Sequence, residues 1–219
     1  RQDIPLERLS LTGYLHGLRL LQQLGLDARD HARCGMLQLA YDERELERCQ
    51  VIANRGFSSE LLYWVEPEEA SRIAGTPLQR GALHFPEAGW VRPRAYCEAL
   101  ASHPNIIQKL TTHVTDIRQH EAGWQVWAGT HLLAEADIVV IANAAQATRF
   151  AQIRHLPLEQ VRGQVSQLKH MIGAPLLNTL LCTDGYISPL LEDGYCLGAT
   201  FMPGDTDTAV REEEHAQNL

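Results

Sequence analysis

The chain has 219 residues, 45% hydrophobic and 21% charged, with a formal net charge of −8. That much apolar material excludes disorder as the main state and suits one large or two small packed domains. No apolar run reaches the roughly eighteen residues of a membrane-spanning helix, and the acidic balance argues against a self-sufficient phosphate-binding nucleic-acid module. The chain opens on Arg1 without a signal pattern and reads as an internal piece of a longer protein.

In chain order, Asp3 and Pro5 open a helix that Leu6, Leu9, Tyr14, Leu15, Leu18, Leu21 and Leu24 carry at three- and four-residue steps. An interruption is expected near Gly13 and an end at Gly25. Residues 34–40 are a short apolar run and predict a strand. Asp42 with Glu45 three positions on is a capping box, opening a helix to about Asn54. Glu66-Pro67-Glu68-Glu69 places proline and acids in the first turn of another helix, which Gly75 and Pro77 stop. Residues 81–91 read as extended and turn-rich, and Pro93 starts a helix to about Ser102.

Beyond His103-Pro104 the period changes. Residues 105–110 predict a strand, and residues 114–120, 123–128, 131–133 and 136–142 predict four more. Residues 161–168, 176–183, 186–190 and 195–201 are expected to be neighbours in one main sheet, punctuated by turns at Asp184-Gly185 and Asp193-Gly194. The tail from Thr208 is acidic and reads as the start of a helix. Helices come early and strands late, an α+β pattern.

The five cysteines, Cys34, Cys49, Cys97, Cys182 and Cys196, are odd in number and show no CxxC spacing. They sit inside apolar patterns and read as small core residues, reduced and without a metal, in keeping with a reducing cytoplasm. No GxGxxG, Walker loop, HExxH or GxSxG occurs, and the ten histidines have no ligand-like spacing.

Three longer stretches carry a resemblance. GALHFPEAGWVRP (residues 81–93) leads directly into a helix. ADIVVIANAAQ (136–146) is an apolar run closing on small residues. VRGQV (161–165) is followed by CTDGYISP (182–189) and LGATF (197–201). In this order, over residues 35–205, they resemble the D-amino-acid-oxidase-like flavoenzymes, the group of glycine and sarcosine oxidases. The wording is most similar to a tRNA-modifying branch in which the oxidoreductase is fused to a methyltransferase.

The resemblance implies the substrate domain of such a flavoenzyme, with a large mixed or antiparallel sheet, plus remnants of the FAD-binding domain. Residues 1–60 would be a helical part beside the FAD domain, and 61–110 the start of the substrate domain with a connecting helix. Residues 111–160 would hold FAD-domain strands, 161–205 the substrate-domain sheet and 206–219 a truncated tail. FAD would lie against Val114, Asn143, Ala144 and Gln164. Family members usually carry glycine near Ala144. Substrate would meet Arg162, Tyr186 and Trp90, with Arg162 suited to a carboxylate. No catalytic residue is assigned and no metal is implied. Each site residue also has a plain structural reading: 138–142 as a core strand, Gly163 as a bulge glycine, Tyr186 as a packed sheet aromatic and Trp90 as an anchor.

The implied reaction removes the carboxymethyl group from carboxymethylaminomethyl-(2-thio)uridine at the tRNA wobble position. The implied partners are tRNA and the fused methyltransferase, with no membrane. A small-molecule amine oxidase and a non-catalytic binding domain remain alternatives. The missing glycine loop removes the helix-terminus seat for a pyrophosphate, and the segment that closes over the flavin is missing too. The chain by itself is therefore expected to purify without FAD.

Overall fold

The computed structural model describes residues 4–170, 172–192 and 194–219. Asp3 of the expected helix start and Asp193 of the second Asp-Gly turn lie outside the described residues. The chain divides into two compact units. The first comprises Arg1–His103, Gly163–Thr200 and Val210–Leu219; the second comprises Pro104–Arg162 and Phe201–Ala209.

In chain order the first half forms α1 (Ile4–Leu24), β1 (His31–Ala32), β2 (Met36–Leu39), α2 (Glu43–Ala53), β3 (Tyr63–Val65), α3 (Pro67–Ala74), β4 (Ala82–Phe85), β5 (Trp90–Val91) and α4 (Pro93–Ala101). There follow β6 (Asp116–His120), β7 (Gly123–Ala128), β8 (His131–Ala136), a 3₁₀ turn (Ala144–Arg149) and β9 (Val161–Arg162). The chain closes with β10 (Ser166–Leu168), β11 (Leu180–Cys182), β12 (Tyr186–Ile187), β13 (Tyr195–Gly198), β14 (Met202–Pro203) and α5 (Glu212–Asn218).

The local signals act as the sequence predicts at several ends. Asp42 caps α2, its carboxylate accepting from the Glu45 N–H at 2.7 Å. Pro67 and Pro93 occupy first helical positions, and Gly75 ends α3 at φ 76°. The expected break at Gly13 does not occur, and α1 runs through it unbroken. Each of its two glycines, Gly13 and Gly17, costs the helix about 1 kcal/mol, which a 21-residue helix rich in leucine tolerates.

A seven-stranded mixed sheet forms the centre of the first unit, in the order β10-β13-β12-β11-β2-β4-β3, with β11 and β2 parallel and the other pairs antiparallel. Four strands come from the late segments, as expected, and three from the first half. Its register lines up two rows of side chains. Tyr63, His84, Leu37, Leu181, Ile187, Leu197 and Ser166 face one way; Trp64, Leu83, Gln38, Cys182, Tyr186 and Gly198 face the other. Ala70 and Ala74 of α3 pack with Leu37 and Val65 on the first face. Cys49 of α2 packs with Leu83 on the second. Leu37 and Leu83 are both buried, so this end of the sheet is covered on both sides.

Three expected strands are corrected. Residues 105–110 form none; Ile107 is 86% exposed and no described strand pairs with the segment. Residues 136–142 are not one strand: Ala136 ends β8, and 138–143 run without regular structure, with Ile138 and Val140 exposed. In both cases an apolar run lacks the neighbouring backbone that a strand needs. Residues 161–168 split. Val161 and Arg162 pair with β14 in the second unit, while Thr200 takes the Gln164 backbone N–H at 2.9 Å and Ser166 joins the main sheet. The second unit also holds the antiparallel meander β6-β7-β8. All five cysteines are free, but only Cys49 is a buried core residue; Cys34, Cys182 and Cys196 are half-buried and Cys97 is exposed on α4. Among the described residues, no helix is long and apolar enough to cross a membrane, and no cluster could hold a metal ion.

Candidate functional site

In the second unit, an open cavity of about 770 Å³ lies between the segment before β6 and the irregular residues after β8. Val114, Val126, Val140 and Phe150 give it apolar walls, and Asn143 and Arg149 add an amide and a guanidinium. Its size falls in the ordinary range for a small-molecule site. Gln146 adds a second amide, and apolar walls with two amides and one guanidinium suit the adenosine and phosphate end of a dinucleotide. The loop is held from behind: Gln160 Nε2 donates to the Ala145 carbonyl at 2.7 Å, and Gln152 Nε2 to the Ile117 carbonyl at 2.5 Å.

Val114 and Asn143 thus line one cavity; the resemblance sets FAD against both. Ala144 follows Asn143 at φ 48°, in the left-handed region where glycine is at ease. Arg162 lies in the same unit on β9 and is buried; its guanidinium donates to the Asp207 carbonyl at 2.6 Å.

Gln164, Tyr186 and Trp90 belong to the first unit. Gln164 is buried, and its side chain clamps the start of α5. Nε2 donates to the Arg211 carbonyl at 2.7 Å, and Oε1 accepts from the Arg211 N–H at 2.9 Å. Trp90 sits in the small β1-β5 ribbon, opposite Ala32, in a different sheet from Tyr186.

Tyr186 follows the turn at 183–185 and is one-third exposed. It borders an open cavity of about 530 Å³, together with Leu181, Asp184, Gly198 and Leu219. Cys182 stands directly across from it on β11, and the Cys196 Sγ lies 3.7 Å from its hydroxyl. Burial, reinforced by the Cys196 contact, pushes the Tyr186 phenol up to about 12, so it stays a neutral donor near neutral pH. Burial also raises the Cys182 thiol.

Two features escaped the sequence reading. Arg149 and Phe150 enter the cavity on a 3₁₀ turn that had no periodic signal. Glu214, in the acidic tail, is 5% exposed, bonded by the Thr200 hydroxyl and 3.6 Å from the Arg211 guanidinium. The acidic composition of the tail concealed it.

A family profile described as FAD dependent oxidoreductase matches residues 2–219. The whole chain is 72% identical to the tRNA 5-methylaminomethyl-2-thiouridine biosynthesis bifunctional protein of Methylobacillus flagellatus and covers 34% of it. The protein of the same name from Chromobacterium violaceum is 40% identical over 217 residues, which are 98% of this chain and 33% of that protein. The chain therefore spans about a third of the length of these curated relatives. Among solved structures, glycine oxidase from Geobacillus kaustophilus superposes with a TM-score of 0.74 at 25% identity, over 98% of this chain and 59% of that one. Glycine oxidase from Bacillus cereus, at 20% identity and a TM-score of 0.71, shares the fold over 100% of this chain and 64% of its own. The motif order read from the sequence, the mixed sheet and the profile agree: the chain belongs to the FAD dependent oxidoreductase family.

Proposed function

We propose that this chain is the central part of an FAD-dependent oxidoreductase that removes the carboxymethyl group from carboxymethylaminomethyl-(2-thio)uridine at the wobble position of tRNA. The observation that carries this reading is the 72% identity, along the whole chain, to a relative named for biosynthesis of that class of nucleoside. Those relatives are called bifunctional, so a fused methyltransferase is proposed as the covalent partner, tRNA as the substrate and the cytoplasm as the location.

FAD, when bound, supplies the hydride acceptor. The carbon beside the secondary amine gives up a hydride and the nitrogen a proton, leaving a C=N bond. Water adds to it and the C–N bond breaks, releasing glyoxylate and leaving the primary amine on the nucleoside. No side-chain base is required if the amine binds neutral, so the work of this chain is binding, orientation and exclusion of water.

Val114, Asn143 and the backbone at Ala144 are proposed to hold the adenosine end of FAD, with Arg149 beside them. Tyr186 is proposed to donate a hydrogen bond to substrate. Arg162 and Gln164 act in this reading through the segments that they brace, and Trp90 rests on the family resemblance. The test uses the full-length protein with tRNA bearing the carboxymethylaminomethyl group, against free glycine and sarcosine. Glyoxylate released from tRNA alone is expected. Turnover of the free amino acids without reaction on tRNA would favour a small-molecule amine oxidase, the reading to which the glycine oxidase superposition points. A full-length protein that binds no flavin would leave only a binding domain.

A further inference from the structure

Tyr186 hangs on a short turn. β11 and β12 pair Leu181 with Ile187 and Cys182 with Tyr186, so residues 183–185 alone reverse the chain. The turn has little of its own to hold it: the Thr183 N–H donates to the Gly185 carbonyl at 2.8 Å, and Asp184 is exposed. Within the turn the Gly185 N–H also reaches the Thr183 Oγ1, at 3.4 Å, and two further bonds come from far away in sequence. Gln38 lies in the same cross-sheet row as Cys182 and Tyr186, and its Nε2 donates to the Thr183 carbonyl at 3.2 Å. Tyr41, in the segment leading from β2 to the cap of α2, donates its hydroxyl to Asp184 Oδ1 at 2.6 Å. A short bond to an ionised carboxylate is the stronger kind. That bond is also the main reason why the Tyr41 phenol is pushed up to about 12.

We propose that Tyr41 and Gln38 are positioning residues that pin the 183–185 turn from β2 and so set where Tyr186 stands. The row Gln38-Cys182-Tyr186-Gly198 shows why a pin is useful here. Gly198, across from Tyr186 on the far side, has no side chain to pack against the ring. The Tyr186 hydroxyl lies against the Cys196 thiol, a weak partner. The seat of Tyr186 is then decided by the turn, and the turn by two side chains contributed about 145 residues earlier. The inference rests on the proposed role of Tyr186 only for its effect on substrate.

The experiment has two readouts on the full-length protein. One is the rate at which an alkylating thiol reagent modifies Cys196, read by peptide mass spectrometry. The other is the KM–kcat split on the carboxymethylaminomethyl-bearing tRNA. Tyr41→Phe keeps the ring and removes the donor; Asp184→Asn keeps an acceptor oxygen and serves as the conservative variant. Tyr41→Phe is expected to raise Cys196 modification and KM, each about fivefold, with kcat little changed, as one lost hydrogen bond implies. Asp184→Asn alone, which still accepts from the Tyr41 hydroxyl, should stay within about twofold of the unsubstituted protein in both. Unchanged Cys196 modification in Tyr41→Phe and in Tyr41→Phe/Gln38→Ala would overturn the pin. Faster modification with unchanged KM would uphold the pin and remove Tyr186 from substrate binding.

Discussion

His84 stands mid-sheet with its Nδ1 3.0 Å from the Tyr63 hydroxyl and its ring edge-on to that tyrosine. Gly35, at φ 75°, lies below its other nitrogen; a Cβ there would stand 3.0 Å from Nε2 and 3.2 Å from the Thr179 hydroxyl. Burial lowers the His84 pKa, opposed by the charge of Glu69. The unfolded chain therefore takes up the proton more readily than the folded one. The domain should lose stability as pH falls below about 6.5, the ordinary imidazole value, and a His84→Gln variant should lose less over that window. Urea midpoints of the two proteins at pH 7.5 and pH 5 check this; parallel losses would refute it. Gly35→Ala should destabilise at every pH, because it combines a positive φ with a crowded Cβ. Ala144 presents the reverse case. It already sits at φ 48°, so Ala144→Gly should raise stability by about 1 kcal/mol, visible as a higher melting temperature.

Among the elements, α5 is the one whose docking depends on polar rather than apolar contacts. Its seven residues are too few for an independent helix. Gln164 bonds both backbone groups of Arg211, Asn218 Nδ2 reaches the Gln164 carbonyl at 2.9 Å, and Ser166 Oγ lies 2.7 Å from His215 Nδ1. Gln164→Ala should cost about 1–3 kcal/mol, since it removes two side-chain hydrogen bonds to the half-buried Arg211 backbone, whose carbonyl keeps the His215 N–H at 3.3 Å. Hydrogen exchange should then show the amides of residues 212–218 losing protection before those of β11–β13; uniform loss would mean that α5 is part of the core. By contrast α2 carries its own start signal, and Asp42→Ala should cost about 1 kcal/mol with no effect beyond that helix.

At the scale of the whole chain, the cavity proposed for FAD in the second unit has apolar walls, two amides in Asn143 and Gln146 and one guanidinium, and the sequence contains no GxGxxG. The charge-assisted bonds to a pyrophosphate, each worth roughly 1.5–3 kcal/mol, must come mainly from elsewhere in the full-length protein. The net charge of −8 adds no long-range attraction for an anionic cofactor. The 219-residue chain alone should purify without a visible flavin absorption band, and the full-length protein should be yellow. A stoichiometric band in the isolated chain would place the binding energy in the 770 Å³ cavity itself.

Local chemistry was legible wherever a residue acts on its own neighbours. Asp42 with Glu45, Pro67, Gly75 and Pro93 marked helix ends because caps and φ preferences reach only a few residues. The late strands showed in their alternation, and the family showed in the order of motifs such as GALHFPEAGW and VRGQV. What the sequence could not decide was pairing. Residues 138–142 are as apolar as any strand here and 105–110 carry Ile106, Ile107 and Leu110, yet a strand exists only when a second backbone lies alongside, and none of the described strands does. The same holds for the site. Val114 and Asn143 come together across β6-β7-β8, and Gln164 turns out to hold Arg211. Tyr41 and Gln38 reach the turn before Tyr186 because β2 lies beside β11, a parallel contact between residues nearly 145 apart. Hydrogen-bond partners at that separation are chosen by the sheet order, which only the folded chain contains.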